Sequence, residues 1–129
     1  MILLDTCAMI WDALDNSKLS PKAKKAIKRS ETELIICDIS IWEISMLIKK
    51  KRLVVEDTVS GFINLLLQSR NFRIQEITPE IAALSVNLGP EINNDPADTL
   101  IAATSIIRNA PIITADQNLR DTTILETIW

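Results

Sequence analysis

Four acidic side chains, Asp5, Glu43, Asp98 and Asp116, are the residues of this chain whose type and placement could do chemistry. The chain contains no histidine, which excludes serine–histidine triads, imidazole acid–base catalysis and the usual zinc sites. Hard chemistry therefore has to lean on carboxylates, and carboxylates favour hard cations such as Mg²⁺ or Mn²⁺. Carboxylates gathered at one place also need a cation. At an effective dielectric of about 20, two like charges about 4 Å apart cost about 4 kcal/mol. A divalent ion removes that conflict, activates a water and stabilises the leaving oxygen in phosphodiester cleavage.

Each acid sits in a telling context. Asp5 directly follows the apolar run Ile2-Leu3-Leu4, and Asp116 closes Ile112-Ile113-Thr114-Ala115-Asp116. If both runs are parallel strands, both acids stand at the carboxyl edge of one sheet, where ligands bind in open α/β folds. Each also has a simpler account, because an Asp after a strand often caps the next helix. Asp95-Pro96-Ala97-Asp98 makes a sound helix start, with Asp95 as cap and Asp98 in the first turn. The helix it opens is apolar on nearly every side, so its N-terminus should point from the core toward that edge. Glu43 lies among apolar neighbours in Ile41-Trp42-Glu43-Ile44, a setting that predicts partial burial.

The elements that would hold these residues alternate short apolar runs with segments of helical period, the pattern of a parallel α/β sheet. Strands are predicted at Ile2–Leu4, Leu34–Cys37, Arg73–Ile77 and Ile112–Thr114, with an edge strand near Thr123–Leu125. Helices are predicted over Lys22–Arg29 behind Ser20-Pro21, from a Ser40 cap to about Lys50, and from Asp57 or Thr58 through Leu67. Two more are expected from Thr78-Pro79-Glu80 to Gly89 and from Asp95 to residue 107. The expected fold class is a three-layer α/β/α sandwich around a mostly parallel sheet of four to five strands. With 129 residues and only two glycines, a single domain over 1–129 is the natural reading.

A hydrophobic fraction of 47% supports a packed core. No apolar run approaches the ~20 residues of a membrane span, and Met1-Ile2-Leu3-Leu4-Asp5 lacks the basic start of a signal peptide. Cys7 and Cys37, both flanked by apolar residues, read as reduced core thiols of a cytoplasmic protein. Net charge is −3, yet ten of the fourteen basic residues fall in two short segments. One holds Lys18, Lys22, Lys24, Lys25, Lys28 and Arg29, the other Lys49, Lys50, Lys51 and Arg52. Such segments are either solvated helix faces or tracks for a phosphate backbone. Other folds that collect acids around Mg²⁺ fit less well. Asp5-Thr6-Cys7 lacks the second Asp of an Asp-x-Asp phosphatase, and Ala115-Asp116-Gln117-Asn118 lacks the Lys of a receiver domain.

Four stretches taken together resemble the PIN-domain ribonucleases, and among them the VapC-type toxins of toxin–antitoxin pairs. They are Leu3-Leu4-Asp5-Thr6, Ser40-Ile41-Trp42-Glu43-Ile44 with the basic run after it, Pro96-Ala97-Asp98-Thr99-Leu100-Ile101-Ala102-Ala103-Thr104, and Ile113-Thr114-Ala115-Asp116. Leu19-Ser20-Pro21-Lys22-Ala23 is also similar to the family's second helix. The resemblance implies a PIN-like fold, Mg²⁺ or Mn²⁺ held by Asp5, Glu43, Asp98 and Asp116, and metal-dependent cleavage of RNA. It implies Thr114 as a hydroxyl that helps arrange the site, and Thr6 and Asp95 are expected to support the acids beside it. Lys49, Lys50, Lys51 and Arg52 are the candidate RNA contacts. A homodimer and a cognate VapB-like antitoxin are the implied partners, with no membrane. Thr99 departs from the pattern, since many relatives carry Arg there. The alternative is a catalytically silent PIN fold that binds RNA or protein.

Overall fold

The computed structural model describes every residue except Ser30, Pro90, Glu91, Asn93 and Asn94. Five strands, β1 (Ile2–Leu4), β2 (Leu34–Cys37), β3 (Arg73–Gln75), β4 (Ile112–Ile113) and β5 (Thr127–Ile128), form one sheet in the order β3-β2-β1-β4-β5. Every pairing is parallel, with Leu3 opposite Ile35 on one side and Ile112 on the other. β1, β2 and β4 are buried throughout, as expected of parallel strands covered on both faces.

The period of two divides their side chains between two cores. Ile2, Leu4, Leu34, Ile36 and Ile113 face a large cluster built with α1 (Thr6–Leu14), α2 (Pro21–Lys28), α3 (Asp38–Lys49) and α4 (Val59–Ser69). Leu3, Ile35, Cys37 and Ile112 face the other side, against α6 (Pro96–Arg108). α5 (Pro79–Ser85) and α7 (Gln117–Asp121) complete that layer around Ala102 and Ala103. The expected three-layer sandwich is therefore the fold found. Helix starts follow their caps: Ser20, Thr58 and Thr78 each accept the amide three residues on, and α6 ends on Asn109 at φ 51°, a left-handed position that Asn tolerates. Among the described residues no helix is long and apolar enough to cross a membrane.

Five expectations need correction. Ser40 caps nothing: α3 starts at Asp38 and Ser40 is fully buried inside it. The terminal strand is Thr127–Ile128 rather than 123–125, and β3 stops at Gln75. α5 ends at Ser85, well short of Gly89. Cys7 is exposed rather than a core thiol, while Cys37 is buried as expected.

Candidate functional site

Strand order reverses at β1: the chain moves outward to β2 and β3, then returns to add β4 and β5 on the other side. The crevice outside the carboxyl ends of β1 and β4 is thus the switch point where open α/β sheets bind ligands. A cavity of about 290 Å³ opens there, lined by Asp5, Glu43, Asp98 and Asp116 together with Thr6, Cys7 and Trp11. All four expected acids meet in one place, although they come from four separate elements.

Capping and site-building prove compatible. Asp5 caps α1 through Oδ1, which accepts from Ala8 N at 2.8 Å, and Asp116 caps α7 by accepting from Asn118 N at 2.8 Å. Asp95 caps α6, accepting from Ala97 N at 2.9 Å and from Asp98 N at 3.3 Å. Three helix N-termini therefore converge on the carboxylates, and their positive ends offset part of the mutual repulsion. Another acid, Asp38, also follows a strand directly, but its Oδ2 accepts from Ile77 N at 3.2 Å and it stays outside the cavity. A strand-end position alone does not make a site residue.

Two threonines hold the acids in place. Thr114, fully buried, donates from Oγ1 to Asp5 Oδ2 and accepts from Asp116 N at 3.0 Å. It thereby joins the two strand-end acids through one hydroxyl. Thr6 Oγ1 is hydrogen-bonded to Glu43 Oε1 at 2.5 Å and to Ser40 Oγ at 2.9 Å. A hydroxyl has one proton and the carboxylate is the stronger acceptor, so Thr6 donates to Glu43 and accepts from Ser40. Ser40 is thus a supporting residue, a role that its small size and position one turn before Glu43 could have suggested. Thr99 is buried and donates to Pro96 O at 2.9 Å, serving the first turn of α6.

The electrostatics carry the mark of crowding. Burial pushes Asp5 up from 3.8 to about 6; the hydrogen bonds from Thr114 and Ala8 act against that, and the charges of Asp98 and Asp116 add to it. Glu43 is raised by burial, opposed by its bond from Thr6, and raised further by Asp98, Asp95 and Asp5. The Cys7 thiol is pushed up to about 11 by burial and by all four acids. Trp11, which sequence reasoning overlooked, forms one wall of the cavity. It packs on Trp129 with ring centroids 6.0 Å apart, and Lys18 Nζ lies 5.9 Å from its ring centre.

Oxygen donors without imidazole suit a hard divalent cation. As they stand, no three His, Cys, Asp or Glu side chains among the described residues form a group that could hold an ion. The donor chemistry fits; closing on an ion asks for rotation of side chains, and Glu43, Asp98 and Asp116 are only half-buried.

Beside the cavity, and sharing Glu43 with it, runs an apolar groove of about 620 Å³. Lys50 and Arg52 line it along with Trp42, which is 58% exposed. Lys49 and Lys51 are exposed but outside its lining, with Lys51 at φ 59° in the turn after α3. None of the α2 bases lines the cavity of the acids.

A family model described as the PIN domain matches residues 2–125. Ribonuclease VapC22 of Mycobacterium tuberculosis (strain ATCC 25618 / H37Rv) is 33% identical over 119 residues, 92% of this chain and 89% of the relative. Among solved structures, VapBC2 from Rickettsia felis bound to a DNA fragment from its promoter superposes with a TM-score of 0.74 at 18% identity, covering 98% and 97% of the two chains. FitAcB from Neisseria gonorrhoeae gives a TM-score of 0.69 at 20% identity over 98% and 96%. At such identities these two structures share the fold.

Proposed function

This chain belongs to the PIN-domain family, and on that premise we propose that it is a metal-dependent endoribonuclease, the toxin half of a toxin–antitoxin pair. The observation that carries the reading is the meeting of Asp5, Glu43, Asp98 and Asp116 around one cavity at the switch point of the sheet. A relative of one-third identity named as a ribonuclease supports the reaction class, and similarity to toxin–antitoxin complexes supports the biological role.

In this reading Asp5, Glu43, Asp98 and Asp116 hold Mg²⁺ or Mn²⁺. A bound divalent ion would supply an activated water and charge stabilisation at the leaving oxygen. The chain's own residues set the stage. Thr114 and the Ala8 amide fix both oxygens of Asp5, and Thr6 orients Glu43. Proton loss from Asp5 and Glu43, both raised by burial and neighbouring charge, must precede binding, so cation affinity should rise with pH. Asp95 supports Asp98 by holding its amide at the helix start.

The test is cleavage of RNA with Mg²⁺ or Mn²⁺ against cleavage in excess EDTA. Activity with the ion and none without it is the expected result; full activity in EDTA would remove the mechanism. A binding-only protein would cut under neither condition.

Lys50 and Arg52, in the groove that shares Glu43, are proposed to steer the RNA backbone toward the acids. Each neutralised phosphate of a single strand contributes about −0.7 to the slope of log affinity against log salt. Lys50→Glu with Arg52→Glu should flatten that slope by about 1.4 and slow cleavage of short and long RNA alike. An unchanged slope would return both residues to the solvated surface.

We further propose that the chain works in the cytoplasm as a homodimer and is silenced by a VapB-like antitoxin whose tail enters the acidic groove. Exposed apolar residues on α3 and α4, Trp42 and Leu65 among them, favour protein partners.

A further inference from the structure

We infer that α2 is a second RNA-binding face, remote from the acids, that grips the phosphate backbone of a long or folded RNA. The inference rests on RNA being the substrate, and it assigns work to a helix that the catalytic site leaves idle.

Three observations carry it. Lys24, Lys25, Lys28 and Arg29 line a single concavity of about 440 Å³ with Pro21. Lys28 and Arg29 then continue into a neighbouring one with Thr32, Arg70 and Asn71. Ala23 and Ile27 turn inward and are buried, so the bases occupy the outer side of the helix. The ion pairs Arg70–Asp12 and Arg73–Glu33 take no base from α2, while Glu31, just past the helix, is engaged. The acids that could balance the helix are absent from it.

The fold gains from only part of this pattern, since Lys25 and Lys28 suit the last turn of the helix. Lys22–Lys25, Lys25–Lys28 and Lys24–Lys28 are like-charged neighbours at three- and four-residue spacing, which weakens a helix. The first turn carries no acid and two lysines, Lys22 and Lys24, at the positive end of the dipole. In a chain of net charge −3, a helix face that gathers this many bases and no acid suits an external anion.

Location separates this face from the site. The second concavity includes Glu33 and Leu34, where β2 begins, and Asn71, just before β3. It therefore lies at the amino edge of the sheet, whereas the acids line the carboxyl edge. An RNA reaching both must pass around the molecule, so only a long or folded one can engage α2 and the acids at once.

The test uses the full chain with Lys24→Gln, Lys25→Gln and Lys28→Gln, since Gln keeps the helix while removing charge. The probe is bulk transfer RNA in EDTA, measured against salt, beside a short single-stranded oligouridylate measured for binding in EDTA and cleavage in Mg²⁺. The variant is expected to lose about 2 to 3 from the magnitude of the salt slope for transfer RNA, and on the order of tenfold in affinity at moderate salt. Its melting temperature and its cleavage of the short oligonucleotide in Mg²⁺ at saturating protein should match the native chain. An unchanged transfer-RNA slope, as an acidic protein partner of α2 would give, overturns the inference. A slowed cleavage of the short oligonucleotide at saturating protein overturns it too, because α2 would then belong to the site. Failure of both proteins to cut RNA would count against the catalytic reading alone, while the slope in EDTA still decides α2.

Discussion

Asp98→Asn is expected to lose RNA cleavage by about 100-fold or more, beyond the 10–100-fold that loss of an outer partner costs a metal site. Stripped of metal, the same variant should melt no lower than the native chain. Two effects oppose each other at this position. Asp98 sits in the first turn of α6, where a carboxylate gains about 0.3–1 kcal/mol from the helix dipole. The cap itself is Asp95, which holds the Ala97 and Asp98 amides whichever residue follows. Against the dipole stands repulsion, since Asp98 raises both Asp5 and Glu43, and Asn removes that charge while keeping the shape. Added Mg²⁺ at about 100 times its dissociation constant should stabilise the native chain by about 2.7 kcal/mol, roughly 10 °C at this size, and the variant by much less. Melting curves in EDTA and in Mg²⁺ decide the matter. A variant that melts well below the native chain in EDTA would make Asp98 a structural residue.

The metal-free protein should also lose stability as pH rises through the range where Asp5 titrates. Its folded value of about 6 lies above the ordinary 3.8, so the folded chain binds this proton more tightly than the unfolded chain does. The contribution is fully present below about 4, falls as pH climbs through 6, and totals up to about 3 kcal/mol. Glu43 is raised as well and acts in the same direction. Asp5→Asn should flatten most of that decline, at the cost of RNA cleavage. Urea unfolding at pH 4.5 and pH 7.5 in EDTA, for both proteins, measures it. A native chain equally stable at the two values would show that the carboxyl is already ionised comfortably.

The strand-end acids were legible because parallel strands here are short continuous apolar runs: Ile2–Leu4 stops directly before Asp5, and Ile112–Ile113 ends with Thr114 and Ala115 between it and Asp116. Ser20-Pro21 and Asp95-Pro96 announced α2 and α6 for the same kind of reason, a cap followed by a residue whose φ is already set. α1 was hidden. It begins at Thr6, with Asp5 alone between it and β1, so there is no room for a separate turn signal between apolar strand and apolar helix. α7 spans five residues and β5 two, too short for any period to register. Ser40 misled because α3 begins behind Cys37 with no side-chain cap, leaving the nearest serine as the visible candidate. Cys7 misled because its neighbours Ala8, Met9 and Ile10 are buried, while its own position on the helix faces the cavity.

The Thr114 bridge has a consequence for the timing of synthesis. Its bond to Asp5 joins residues 109 positions apart, and Asp98 and Asp116 both lie in the last third of the chain. A nascent polypeptide that has folded β1 through β3 carries Asp5 and Glu43 but neither of the other acids, and β1 still lacks its β4 neighbour. Chains lengthen by about 5–20 residues each second and fold from the amino end, so the four-acid cluster is completed last. If those acids cut RNA as proposed, a ribosome would hold an inert fragment until its final seconds, and a product truncated before Asp98 would leave the RNA around it intact.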